Sequence, residues 1–347
     1  MIDLDDLNAI AQLDKEGMGH MIIHMPEQAW QTYFEPKITN IDKACKSAVN
    51  KIIIAGMGGS AIAGDIIQAL YGKHIDIRVV KDYSLSGCDE DTLFVACSYS
   101  GNTEETISCL NKAVEAKAKV WGITTGGLVK ACLSSNYPLI ELRPGFPPRA
   151  AIAYLFFSII KVLEIQGIVE DQSNNVKSVI SSLMTKAGAL TDKIPTMLNF
   201  AKSSAVTING KIPLIYAANP MLAPVAYRWK CQINENAKYP AFYHTFPEMN
   251  HNEIEAWENT KLNQHFMPII LKFFSEDEVY EKRLTAFKKL LTKQGIEYLE
   301  FFADGDNSMV RLFSLIYLGD MISYYLAIIN DTNPTSIKFI DFLKENI

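Results

Sequence analysis

Two α/β domains, each a parallel β-sheet between layers of helices, are what this sequence predicts. Three observations carry the prediction. From about residue 50, short apolar runs alternate with amphipathic helical patterns. A long apolar helical stretch from Ala150 to about Gly167 closes this first series, and a second series of the same kind begins near residue 206. A length of 347 residues is enough for two cores of ordinary size.

In the first series "KIIIAG", "IDIRVV", "LFVACS", "KVWGITT" and "PLIEL" read as strands, with "SAIAGDIIQALYG" and "TEETISCLNKAVEAK" among the helices between them. Glu104 and Glu105 stand in the first turn of the second of these helices, where the helix dipole favours negative charge. The segment "VEDQSNNVKSVISSL" is polar and then helical. In the second series "KIPLIYAANP", "AFYHTF", "MPIILKFF" and "IEYLEFFA" are strands. Helices are read at "LAPVAYRWKCQINENA", "EDEVYEKRLTAFKKLLTKQG", "SMVRLFSLIYLGDMISYYLAIIN" and "TSIKFIDFLKEN". The expected division is residues 1–167 for N-terminal helices and a first domain, 168–205 for a helical bridge, and 206–347 for a second domain. "KIIIAGMGGSAIAG" and "KIPLIYAANPMLAP" open the two halves alike, which suggests a duplicated unit whose second turn has lost its glycines.

A net charge of −6 and the lack of a basic stripe with interleaved aromatics argue against a nucleic-acid partner. The apolar stretches around residues 150–169 and 310–329 carry Lys161 and Glu164, and Asp320, respectively; each charge is costly in hydrocarbon, so both read as buried core helices rather than membrane spans. The six cysteines (45, 88, 97, 109, 132 and 231) lack C-x-x-C spacing, fall largely within apolar segments and read as reduced core residues of a cytoplasmic protein. His20 and His24 are at i, i+4 spacing without an H-E-x-x-H pattern and read as surface residues. No metal site and no cofactor is expected.

The chemistry is concentrated in two strand-to-helix turns. Gly56, Gly58 and Ala61 fit the G-x-G-x-x-A of a dinucleotide site, with Asp82 placed to hold a ribose. The next turn but one, "SYSGNT", supplies Ser98, Ser100 and Thr103 around a glycine at the start of a helix. Hydroxyls and backbone amides in that arrangement surround the free oxygens of a phosphate monoester. The competing reading is that these hydroxyls only cap the helix.

"SYSGNTEET" together with "GMGGSAIAGD" resembles the sugar isomerase (SIS) domain family. "GFPPRAAIAYLF", "YRWKCQINENAKYPAF", "FPEMNHNEIEAW" and "IDFLK" extend the resemblance, from residue 50 to the end, to the bifunctional phosphoglucose/phosphomannose isomerases. It implies two flavodoxin-like SIS domains, a homodimer with a shared active site, and reversible aldose–ketose isomerisation of glucose 6-phosphate, and of mannose 6-phosphate, to fructose 6-phosphate without a metal. By this resemblance Glu235 is the base that moves the proton between C1 and C2, and Arg149 stabilises the enediolate. His251, contributed across the dimer interface, opens the sugar ring with help from Lys344, for which Lys338 is a rival. Ser98, Ser100 and Thr103 bind the phosphate, and Gly58, Gly59 and Ser60 contact the sugar. Two other readings remain open: a non-catalytic sugar-phosphate sensor, and a nicotinamide-dependent oxidoreductase.

Overall fold

The computed structural model describes residues 2–44, 48–134 and 136–346. The chain falls into two compact units, residues 24–181 and residues 1–23 with 182–347, so the division lies inside the helix Ser173–Leu190. The N-terminal residues were expected with the first domain, yet they belong to the second. The reason is local to that unit: the buried Lys202 ammonium donates to the carbonyls of Leu4 (2.6 Å) and Asp192 (2.8 Å) and pairs with Asp5. Gly19 also sits directly against the Tyr324 ring.

The first sheet contains β1 (Lys37–Thr39), β2 (Lys51–Ala55), β3 (Ile77–Val80), β4 (Thr92–Cys97), β5 (Lys119–Thr124) and β6 (Leu139–Glu141), in the spatial order β1-β6-β5-β4-β2-β3. The five expected strands are all present and mutually parallel, and β1 adds an antiparallel edge through the Lys37–Glu141 register. Taken from β2 onward, the parallel strands follow the 2-1-3-4-5 order of flavodoxin-like sheets, not the 3-2-1-4-5-6 order of the dinucleotide-binding fold. Every residue of β4 is buried, as a central strand covered on both faces requires. On one face the helix Glu104–Glu115 lays down Thr106, Cys109, Leu110 and Ala113, the i, i+3, i+4, i+7 stripe of an amphipathic helix. The helix Ile152–Ile165 is apolar nearly all round. It buries Phe156, Phe157 and Ile159 completely, each worth roughly 1.5–3 kcal/mol of transfer free energy.

The second sheet contains β7 (Ile212–Ala217), β8 (Phe242–Thr245), β9 (Phe266–Phe273) and β10 (Leu299–Ala303), all parallel, in the order β10-β9-β7-β8. This repeats the β5-β4-β2-β3 part of the first sheet. The helix Ser308–Ile329 is long and apolar enough to cross a membrane, but its apolar window is wholly buried inside the protein. Its Asp320 is met by the helix Ala223–Ala237, whose Arg228 donates through Nε (3.0 Å) and a terminal nitrogen (2.6 Å). Of the cysteines expected in the core, Cys97 and Cys109 are buried and Cys88 and Cys231 half-buried, whereas Cys132 is exposed on the short helix Gly127–Leu133; Cys45 lies outside the described residues.

Candidate active site

In an open α/β sheet, ligands gather beyond the carboxyl ends of the strands where the winding reverses. In the first sheet that point lies between β2 and β4, and the loops leaving these two strands carry the predicted binding residues. Ser98 is buried and its hydroxyl shares a 2.9 Å hydrogen bond with Thr103, while the Gly101 amide donates to Ser98 Oγ at 3.1 Å. Thr103 occupies the N-cap position of the helix Glu104–Glu115, yet its hydroxyl faces Ser98 and makes no capping bond. The capping explanation of this hydroxyl cluster therefore fails at its central residue. Ser100 is exposed beside it and accepts from the Asn102 amide. The helix Gly58–Tyr71 likewise begins without a side-chain cap, so two helix N-termini at this edge are left without one. Asp6, Asn199, Asn219 and Asn307 cap helices elsewhere, while the helices Met25–Phe34, Ile152–Ile165 and Glu278–Lys293 also begin without a side-chain cap.

Backbone packing holds the loop in shape. Gly101 has φ of +74°, and a Cβ there would lie 1.9 Å from the Gly126 carbonyl, so only glycine lets the loop after β4 lie against the loop after β5. Asn102 fastens the same contact by accepting from the Leu128 amide at 3.0 Å. Ser60, buried in the first turn of its helix, accepts from the Tyr99 amide at 3.2 Å and joins the loops after β2 and β4.

Arg149 reaches this edge through a glycine of unexpected role. A Cβ on Gly59 would meet the Pro148 carbonyl at 2.8 Å, so Gly59 lets the "FPPR" turn pack on the start of the Gly58–Tyr71 helix. Gly58 precedes it at φ of +51° with open space around the position a Cβ would take. Arg149 is buried in a short 3₁₀ turn beside them. Tyr99 ties the arrangement together: its hydroxyl donates to the Arg143 carbonyl (2.7 Å) and accepts from the Phe146 amide (3.1 Å). Burial pushes its phenol up to about 12, and pushes the neighbouring Cys97 thiol to about 12 as well, so both stay neutral beside the loop.

In the second unit Glu235 stands half-buried in the last turn of the helix Ala223–Ala237, on a cavity of about 650 Å³. Lys238, in the left-handed conformation that ends the helix, donates to the carbonyls of Glu235 (2.9 Å), Asn236 (3.3 Å) and Asn333 (2.7 Å). This satisfies helix-end carbonyls with a cation and fastens the 331–337 loop beneath Glu235. Asn234 donates to the Tyr239 carbonyl and Asn236 to Ser323, so both neighbours of Glu235 are fixed. Lys338 lines the cavity with Glu235. Lys344 is exposed on the helix Lys338–Glu345 and is not part of that lining.

His251 ends a short 3₁₀ turn, exposed, in a segment anchored on either side by the buried Met249 and Trp257. Asp82 does not stand as a ribose ligand: its oxygens accept from Tyr83 N and Ser84 Oγ of its own turn. His20 is exposed within the helix Met18–Ile23, and His24 stands half-buried at the N-cap of the helix Met25–Phe34. Among the described residues there is no cluster of three or more His, Cys, Asp or Glu side chains placed to hold a metal.

Residues 198–347 match the profile described as the bacterial phospho-glucose isomerase C-terminal SIS domain. A bifunctional phosphoglucose/phosphomannose isomerase from Caldicellulosiruptor bescii is 32% identical over 339 residues, covering 95% of this chain and 98% of that protein. This chain belongs to the bifunctional phosphoglucose/phosphomannose isomerase family. A D-glucosamine-6-phosphate 4-epimerase from Sulfolobus acidocaldarius is 33% identical over 75% of this chain and 80% of its own length. The fold is also that of the tagatose-6-phosphate ketose/aldose isomerase of Escherichia coli, with a TM-score of 0.71 at 15% identity over 93% of this chain and 96% of that one.

For a phosphoglucose/phosphomannose isomerase family protein with two sheets of one winding, the second winding point is informative. The loops after β7 and β9 there hold Asn219 and Glu276, whose side chains are bonded to each other at 3.1 Å, with Glu276 also accepting from the Phe273 amide. A carboxylate occupies the position that hydroxyls hold in the first sheet, which disfavours a phosphate. Sequence reasoning missed Tyr99 and Lys238 as organising residues of this isomerase-family fold. Tyr99 between two serines and a lysine following "NEN" were the available signals.

Proposed function

We propose that this protein catalyses the reversible isomerisation of glucose 6-phosphate, and of mannose 6-phosphate, to fructose 6-phosphate through an enediolate, without a metal ion. The observation that carries the reading is the Ser98–Thr103 pair, a buried hydroxyl cluster at the winding point with Thr103 turned away from capping its own helix. Ser98, Ser100 and Thr103 with the adjoining helix amides bind the phosphate, and Gly58, Gly59 and Ser60 contact the sugar. Glu235 takes the proton from C2 of the aldose and delivers it to C1, and Arg149 balances the charge that develops on the two enediolate oxygens. Rotation about C2–C3 of that intermediate presents either face of C2 to the same base, which accounts for both aldoses at one site. His251 transfers the proton that opens the hemiacetal, and a homodimer brings it to the site of the neighbouring subunit. Apolar side chains exposed close together, Met197, Leu198 and Phe200, support an assembly of that kind.

Purified protein supplied with fructose 6-phosphate is expected to form glucose 6-phosphate and mannose 6-phosphate at rates unchanged by EDTA. Loss of turnover in EDTA would refute the metal-free mechanism, and binding without turnover would favour the sensor reading. Conversion of glucosamine 6-phosphate alone would move the substrate toward that of the Sulfolobus relative. The lysine is tested separately. Lys338 and Lys344 project in widely different directions from one helix at about 100° per residue, and Lys338 is the one on the Glu235 cavity. Lys338→Ala is therefore expected to lower kcat for fructose 6-phosphate more than Lys344→Ala; the reverse order would return the role to Lys344.

A further inference from the structure

We infer that Tyr216 and Glu253 form a latch that holds His251 in its working orientation, making Tyr216 a positioning residue for ring opening. The inference rests on the assignment of His251 above. Tyr216 lies on β7 with no exposed surface, its ring edge-on to Phe287 (5.3 Å) and Phe246 (6.3 Å) in the core of its unit. Phenylalanine would fill that volume equally well. The hydroxyl is what tyrosine adds, and it donates to Glu253 Oε1 at 2.5 Å. Burial and the Glu253 charge hold the phenol well above its ordinary range, so it remains a donor.

Glu253 belongs to the exposed segment that carries His251. Phe246, Met249 and Trp257 bury the ends of this segment in the same core cluster as Tyr216, while His251 and Asn252 project to solvent between them. Asn252 accepts from the Glu253 amide at 2.6 Å, which stiffens the turn next to the histidine. The Tyr216–Glu253 bond then ties the middle of the segment to the sheet. An imidazole that exchanges a proton with a sugar ring oxygen must be held within hydrogen-bond reach of it, and a displacement of about 1 Å can cost about a hundredfold in rate. A buried hydroxyl holding a loop carboxylate close to the histidine supplies that constraint.

The test separates ring opening from proton transfer between carbons. Fructose 6-phosphate must be opened, whereas 5-deoxyfructose 6-phosphate lacks the hydroxyl that closes the ring and is always open. With product followed by NMR, Tyr216→Phe is expected to lower kcat/KM for fructose 6-phosphate about ten- to a hundredfold and to leave the 5-deoxy sugar at the wild-type rate. Glu253→Gln, whose amide oxygen still accepts from Tyr216, should retain most activity on both sugars. His251→Ala should show the same split between them, and the double variant His251→Ala/Tyr216→Phe should be no slower than His251→Ala alone. Equal slowing of both sugars by Tyr216→Phe would make its role merely structural and overturn the latch. Normal activity of Tyr216→Phe beside a slow His251→Ala would overturn the latch and leave the histidine assignment standing. A His251→Ala variant that opens fructose 6-phosphate normally would remove that assignment and the latch together.

Discussion

Glu235→Gln is expected to reduce isomerisation of fructose 6-phosphate about 10³- to 10⁴-fold, the upper part of what a positioned general base contributes. The substitution keeps the shape of the side chain and removes its ability to take and return a proton. The surroundings of Glu235 are also held by bonds that do not use its carboxylate. Lys238 holds the helix end through backbone carbonyls, and Asn234 and Asn236 make their own bonds, so the cavity and the fold should survive. The loops proposed above to bind the phosphate lie in the unit of residues 24–181 and are held by bonds among Ser98, Thr103, Gly101, Ser60 and Tyr99. Titration calorimetry with fructose 6-phosphate should accordingly give nearly unchanged affinity in a variant that is almost inactive. Normal turnover would place the base elsewhere and leave the 650 Å³ cavity without its assigned chemistry. Loss of binding together with turnover would instead make Glu235 a substrate ligand.

What the sequence revealed about this site follows from how local each feature is. The hydroxyl cluster was legible because Ser98, Ser100 and Thr103 lie within one turn of chain, and so was its position after a buried strand. Gly59 was read as a sugar contact, and its packing against the Pro148 carbonyl, far away in sequence, was not visible. No periodicity reports such a contact. The same limit explains β1: three residues long and paired antiparallel to β6, it shows no alternation to read. It also explains the N-terminal residues, whose place is set by Lys202 reaching the Leu4 carbonyl. The choice between Lys338 and Lys344 depends on how one terminal helix is turned toward the Glu235 cavity, a rotation that motif matching does not encode. The second winding point was half legible: its missing glycines were visible in "YAANP", but the Asn219–Glu276 bond that fills it was not.

The charge in the middle of the apolar helix Ser308–Ile329 makes the other strong prediction, because its cost is so large when unpaired. Asp320→Asn is expected to destabilise the protein by about 3–5 kcal/mol, the usual penalty for leaving one member of a buried ion pair without its counter-charge. Arg228 and Asp320 are each 1% exposed and joined by two hydrogen bonds, so no water replaces the lost carboxylate. At roughly 2–4 °C per kcal/mol for a unit of this size, calorimetry should show the melting temperature lower by about 10 °C. Arg228→Met/Asp320→Leu should recover most of the loss, because an apolar pair of similar volume removes both charges. A loss below about 1 kcal/mol in the single variant would mean that the arginine finds another partner or solvent. The pair bears on activity through the helix Ala223–Ala237, which it pins to the helix Ser308–Ile329 alongside Trp229, whose indole donates to the Leu315 carbonyl at 2.8 Å, and Asn236, which donates to Ser323. Glu235 rides on the last turn of that pinned helix. The double apolar variant separates the two roles. If the pair only stabilises, its kcat should match wild type; if its fixed geometry also sets the angle of the helix, kcat should fall although the melting temperature has returned.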